Sequence, residues 1–119
     1  MNDNDITLVK NAIEKFAENN VEVHVTELAV RNYDNDAEPE HAAFYKKLVQ
    51  TYVDINKAAQ AAGKTGPITS LSIWGLFDAP YLSTADYSYK MNGPYCGLFT
   101  ELYQPKQSFK EVYEVLAAE

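Results

Sequence analysis

A chain of 119 residues has room for one small domain with a modest core, and 46% hydrophobic with 23% charged residues is ordinary globular composition. Its net charge of −7 argues against nucleic acid as a partner, because a phosphate-binding surface needs a surplus of Lys and Arg. No run reaches the ~18 apolar residues needed to span a bilayer, and the acidic, polar start Met1–Asp5 lacks the basic-then-apolar order of a signal peptide.

The first predicted element is a helix. Ile6, Val9, Ile13 and Phe16 recur at helical spacing, with Lys10, Glu14, Lys15 and Glu18 off that face. Asp3 or Asp5 is placed to cap its start, where a negative side chain also suits the helix dipole. Asn19-Asn20 ends it and a strand follows at once, with Val21, Val23 and Val25 alternating with Glu22, His24 and Thr26. This alternation assigns Glu27 to the face of the valines, at the strand's C-terminal end. Burying an ionised group is expensive, and the strand end offers an escape, since active sites of α/β barrels lie at the C-terminal ends of their strands. The alternative is a glutamate that simply leaves the strand into solvent. The same alternation turns His24 toward the helices, as a packed and hydrogen-bonded side chain.

A polar loop from Arg31 to Ala37 is too rich in Asn and Asp to be regular. Glu38-Pro39-Glu40 then opens a long helix, proline being tolerated in the first turn. Phe44, Leu48, Tyr52, Ile55 and Ala59 form its predicted buried stripe, and Gly63 ends it. After a turn at Gly66-Pro67, Ile68 to Gly75 reads as a second strand. The stretch from Leu76 to Tyr103 carries Tyr81, Tyr87, Tyr89, Tyr95 and Phe99 among several Pro and Gly residues. Loops this long are usually functional or disordered, and the aromatic content argues against disorder. Ser108 to Glu111 has the form of a capping box, opening a last helix with Phe109, Val112, Tyr113 and Leu116 on one face.

The order helix, strand, helix, strand, helix indicates an α/β fold with parallel strands. Two parallel strands make no self-sufficient sheet, and their outer edges are open to other chains, so the chain reads as part of a domain. Cys96 is the only cysteine, which rules out an internal disulfide, and it reads as a packed thiol. His24 and His41 match no zinc spacing, and no metal site is expected.

Three segments carry a family resemblance. Val23-His-Val-Thr-Glu-Leu28 resembles the seventh-strand motif of glycoside hydrolase family 10, the endo-β-1,4-xylanases. Ser72-Ile-Trp-Gly-Leu-Phe-Asp78 resembles the eighth-strand motif, and Gly97 to Lys106, Gly-Leu-Phe-Thr-Glu-Leu-Tyr-Gln-Pro-Lys, is similar to the C-terminal signature. Three motifs in order are far more specific than any one. The resemblance covers residues 1–119 and implies the C-terminal fragment of a (β/α)8 TIM barrel: helix 6, strand 7, helix 7, strand 8 and helix 8. A full barrel typically needs ~250 residues. The first six strands, and the acid/base glutamate at the end of the fourth, lie outside such a fragment.

The resemblance implies that Glu27 is the nucleophile of a retaining endo-β-1,4-xylanase acting on xylan or xylo-oligosaccharides without metal or organic cofactor. It implies that Trp74 floors the sugar subsite beside the scissile bond. Tyr81 lies near a second family tryptophan, one residue off its spacing. Tyr87, Tyr89 and Tyr95 either line a xylan groove or staple the loop to the barrel rim, with the structural role favoured. The family's aspartate two residues after the nucleophile, which orients a histidine from the sixth strand, is here Ala29. The isolated chain is expected to be inactive, needing a complementary N-terminal barrel half. The competing readings are a non-catalytic, self-associating barrel fragment and a piece of another retaining barrel glycosidase. The family is commonly secreted; the chain itself carries no sign of its compartment.

Overall fold

The computed structural model describes residues 2–80 and 92–118. In chain order these form α1 (Asp3–Glu18), β1 (Val23–Leu28), a 3-10 turn (Asn35–Ala37), α2 (Glu38–Ala61), β2 (Ile68–Ile73) and α3 (Gln107–Ala117). β1 and β2 pair in parallel as a two-stranded sheet. The expected α/β order with parallel strands is therefore present, and α2 is the crossover between them.

One side of the sheet carries the core. Val23, Val25, Ile68, Leu71 and Ile73 pack against a cluster that includes Ile13, Leu28, Tyr45, Leu48, Val49, Tyr52, Ile55, Val112 and Val115. The valines thus face the helices. His24, Thr26 and Glu27 on β1 are exposed, as are Thr69, Ser70 and Ser72 on β2. The pairing explains why two exposed residues run together in each strand. Between Val25↔Leu71 and Leu28↔Ile73, β1 carries one residue more than β2, and between Val23↔Ile68 and His24↔Ser70 the excess is on β2.

This irregularity corrects two expectations. Glu27 does not share the face of Val23 and Val25, because the extra residue of β1 breaks the period-two alternation before it. His24 does not point to the helices; it is exposed, with Nε2 2.9 Å from Glu22 Oε1. Both belong to the polar, open face of the sheet.

Local chemistry sets the element ends. Asn2 caps α1, not Asp3 or Asp5: its side chain accepts from the Asp5 N–H at 3.1 Å, and the Asp5 carboxylate accepts from the Asn2 N–H at 3.1 Å. Gly63, at φ 75°, follows the end of α2 as expected. Asn56 then fixes the start of β2, accepting from the Ile68 N–H at 2.9 Å and donating to the Ile68 carbonyl at 2.7 Å.

The buried faces differ in part from the predicted stripes. α2 buries His41, Ala42, Tyr45 and Val49 besides Leu48, Tyr52 and Ile55, since it is covered from two sides. Phe16, Tyr113 and Leu116 are exposed, and α3 buries Val112 as expected, with Ser108 and Val115 beside it. The capping box at Ser108–Glu111 does not form. The Ser108 N–H is satisfied by Glu38 Oε1 of α2 at 2.8 Å, and Glu111 pairs with Lys46 at 2.6 Å. A carboxylate from another helix has taken the capping role.

Candidate active site

Parallel pairing brings the C-terminal ends of β1 and β2 side by side. The Trp74 N–H donates to the Leu28 carbonyl at 2.9 Å, so the strands stay joined at the level of Glu27. Glu27 is exposed and Trp74 is 46% exposed. A carboxylate and an indole face therefore stand on adjacent strand ends, open to a ligand. Ala29 is half-buried and carries no polar group toward Glu27. Tyr81, Tyr87 and Tyr89 lie outside the described residues. Tyr95 is half-buried, and its backbone joins the loop to the sheet end through an N–H donated to the Asn32 carbonyl at 3.1 Å.

The loops behind these strand ends interlock. The Asn32 N–H donates to the Asn92 carbonyl at 2.8 Å. Gly93 adopts φ 90° and lies so close that a Cβ would stand 2.2 Å from the Asn32 carbonyl oxygen. After β2, the Leu76 carbonyl accepts from the Leu98 and Phe99 N–H groups at 2.9 and 3.1 Å, and the Asp78 N–H donates to the Phe99 carbonyl at 2.8 Å. The last three bonds fix the backbone that follows Trp74.

Beneath them lies a buried ionic cluster that sequence reasoning did not single out. The Lys106 ammonium donates to Asp78 Oδ1 at 3.0 Å and to the Tyr95 and Gly97 carbonyls at 2.9 Å each, and stands 3.1 Å from Glu38 Oε2. His41, fully buried, places Nδ1 3.0 Å from Glu38 Oε2 and donates from Nε2 to the Val30 carbonyl at 3.0 Å. Burial works against ionisation of Glu38, but hydrogen bonds from His41, the Ser108 N–H and Lys106 hold its carboxyl down at about 2. Asp78 goes the other way: burial pushes its pKa up, and Lys106 offsets that only in part. Asp78 and Lys106 both fall inside segments that the resemblance singled out, which was the available signal.

Cys96 is fully buried and unpaired by disulfide, and burial pushes its thiol up to about 11. It is a packed thiol, as expected. Among the described residues no cluster of three or more His, Cys, Asp or Glu side chains could hold a metal ion.

Parallel strands joined by a helix, with polar side chains at their carboxyl ends, are the organisation of a β/α-barrel segment. The model of glycosyl hydrolase family 10 matches residues 1–115, and the chain belongs to that family. The endo-1,4-beta-xylanase B of Butyrivibrio fibrisolvens is 34% identical over 76 residues, 62% of this chain and 11% of that protein. A Clostridium thermocellum endo-1,4-beta-D-xylanase 10B structure, complexed with xylohexaose, matches with a TM-score of 0.69 at 25% identity, over 90% of this chain and 19% of the other. The Thermobacillus composti xylanase of the same family matches at 0.63 and 26% identity, over 92% of this chain and 37% of that one. The Thermotoga maritima xylanase 10B shares the fold at 0.67 and 20% identity. These neighbours are TIM barrels, and the chain spans about a tenth of the curated relative and a fifth to two-fifths of the solved ones.

Proposed function

We propose that this chain is the segment of a retaining endo-β-1,4-xylanase barrel running from the sixth helix through the eighth, with Glu27 as its nucleophile. The observation that carries the reading is the position of Glu27: exposed, at the carboxyl end of a parallel strand, beside Trp74 on the next strand end. The xylanase relatives, one of them holding xylohexaose, favour xylan as the substrate class.

In this reading the Glu27 carboxylate attacks the anomeric carbon and the glycosidic C–O bond breaks. A glutamate from the rest of the barrel protonates the leaving oxygen. That same group then takes a proton from the water that releases the glycosyl-enzyme ester and frees Glu27. Retention by this route requires the two carboxyl groups to sit ~5–5.5 Å apart. Trp74 offers its ring to the apolar face of the pyranose next to the cleaved bond, and the resemblance names Tyr81 as a candidate second aromatic contact.

The chain by itself is inactive in this reading, because the family's acid/base glutamate lies at the end of the fourth strand, outside the segment. The test is to combine it with the complementary N-terminal barrel half and assay xylan hydrolysis and product stereochemistry. Retention, abolished by Glu27→Gln, is expected; no hydrolysis, or hydrolysis indifferent to Glu27→Gln, would overturn the reading.

A second reading is favoured by the exposed apolar residues Leu8, Phe16 and Leu116 and by the two-stranded sheet with its outer edges. Such surfaces suit a further barrel segment or a second copy of the chain. Light scattering separates the two: concentration-dependent growth supports self-association, and a monomer that binds the complementary half supports barrel completion.

A further inference from the structure

We propose that Lys106 is a positioning residue: through the buried line from Asp78 to Lys106, Glu38, His41 and the Val30 carbonyl, it sets where Trp74 stands relative to the segment that carries Glu27. The role of that geometry in xylan binding rests on the function proposed above; the linkage itself does not.

The line has two ends. At one, His41 Nε2 donates to the carbonyl of Val30, three residues beyond Glu27. At the other, Asp78, four residues beyond Trp74, accepts from Lys106 Nζ and, on the same Oδ1, from the Gly97 N–H at 3.0 Å. Between them Glu38 is bridged by His41 at 3.0 Å and Lys106 at 3.1 Å. Lys106 and Asp78 side chains are only 5% and 2% exposed, and Glu38 is 17% exposed.

Three N–H bonds of one ammonium face four oxygens at 2.9–3.1 Å: displacing the segment that bears the Tyr95 and Gly97 carbonyls leaves the ammonium short of acceptors, and displacing Asp78 or Glu38 takes a carboxylate away from its cation. Moving any of them leaves a charged group short of partners inside the protein, which is costly. The segment after β2 has little other freedom. A Cβ on Gly97 would lie 2.5 Å from the Phe77 carbonyl carbon and 2.6 Å from the Asp78 nitrogen, so the two backbones touch. Trp74 is thus held between its own hydrogen bond to Leu28 and the anchored stretch Leu76–Asp78. The first anchor belongs to the sheet; in the second, the backbone bonds to Leu98 and Phe99 are backed by the Lys106–Asp78 contact.

Trp74 is the single tryptophan of the chain, so its fluorescence reports its surroundings directly. The experiment compares wild type with Lys106→Met, Lys106→Arg and Glu38→Gln, and with Val112→Ala, which loosens α3 in the core without touching the ionic line. All are measured at a temperature where far-UV dichroism shows the native helix content. Acrylamide quenching of Trp74 should rise roughly two-fold in Lys106→Met and Glu38→Gln as its segment loosens, while Lys106→Arg recovers part of the wild-type value. Val112→Ala should stay at wild type. Wild-type quenching in the folded variants would overturn the proposal, as would an equal change in Val112→Ala. Should Lys106→Met fail to fold, Glu38→Gln, which keeps the side chain's size, decides alone. No sugar enters these measurements. A completed barrel that cleaves no xylan would therefore defeat the proposed function and leave this result standing. In an active completed barrel, Lys106→Met should raise KM for xylohexaose more than it lowers kcat.

Discussion

The ammonium of Lys106 meets the carboxylate of Asp78 at 3.0 Å, with both side chains almost wholly withdrawn from water. The contact joins the residue that precedes α3 to the loop that follows β2, 28 positions apart in sequence. The chain thereby closes its C-terminal helix against the strand end that presents Trp74. A buried pair of this kind contributes little net stability compared with a well-packed apolar substitute, yet it is expensive to break from one side.

Lys106→Met should therefore destabilise the chain by roughly 3–5 kcal/mol, because Asp78 and Glu38 keep their burial and lose their cation. Urea unfolding followed by far-UV dichroism measures this. Lys46→Met, which removes the exposed Lys46–Glu111 pair between α2 and α3, should move the midpoint far less. Equal effects would show that burial does not govern the difference.

Acid should weaken the fold through Glu38. Its folded pKa is depressed to about 2 against an ordinary 4.5, so its contribution is fully present above pH 4.5 and disappears as pH falls toward 2. The size of that contribution is on the order of 3 kcal/mol. Asp78 acts in the opposite sense, since a raised folded pKa means that protonation favours the folded state. The difference between wild type and Glu38→Gln isolates the Glu38 contribution. Wild type should be the more stable above pH 5, with the gap closing by pH 2; a gap independent of pH would sink this account.

Gly97→Ala should cost more than about 2 kcal/mol, since the added methyl meets backbone atoms of Phe77 and Asp78 that no rotamer change can move. At Gly63 a Cβ meets nothing within 4 Å and only the positive φ opposes it. Gly63→Ala should accordingly cost about 1–2 kcal/mol. Chemical denaturation of the two variants ranks them; the reverse order would mean that the Gly97 contact relaxes.

Replacing Trp74 separates the ring's contact with sugar from its place in the fold. In the completed barrel, Trp74→Ala should weaken xylohexaose binding by roughly 1–3 kcal/mol, by analogy with the loss of an aromatic ring stacked on a nucleobase. Trp74→Phe should keep part of it. Because the residue is only 46% exposed, Trp74→Ala should also lower the unfolding midpoint through lost burial, and Trp74→Phe much less. Calorimetric titration with xylohexaose checks the binding, and unchanged affinity in Trp74→Ala would remove Trp74 from the groove.

Much of this protein could be read from local pattern. The helix–strand–helix–strand–helix order followed from periodicity, Asn19-Asn20 and Gly63 marked helix ends, and the three motifs named the family, because each depends on residues close together in the chain. The face on which Glu27 lies could not be read that way. Strict alternation put it with Val23 and Val25, whereas one extra residue in β1 between Val25 and Leu28 moved it to the open side with His24. Such an irregularity arises only when one strand is laid against another.

The same holds for the cap of α3, which comes from Glu38, 70 positions earlier, instead of from Ser108 and Glu111. It holds also for the burial of Lys106, Asp78 and His41, whose polar character in isolation points to solvent. By itself the sequence determined the elements, their order, the family and the two residues at the strand ends. Only the tertiary structure decided which way those strand ends face and what holds them, since burial, register and long-range ion pairs are properties of segments brought together.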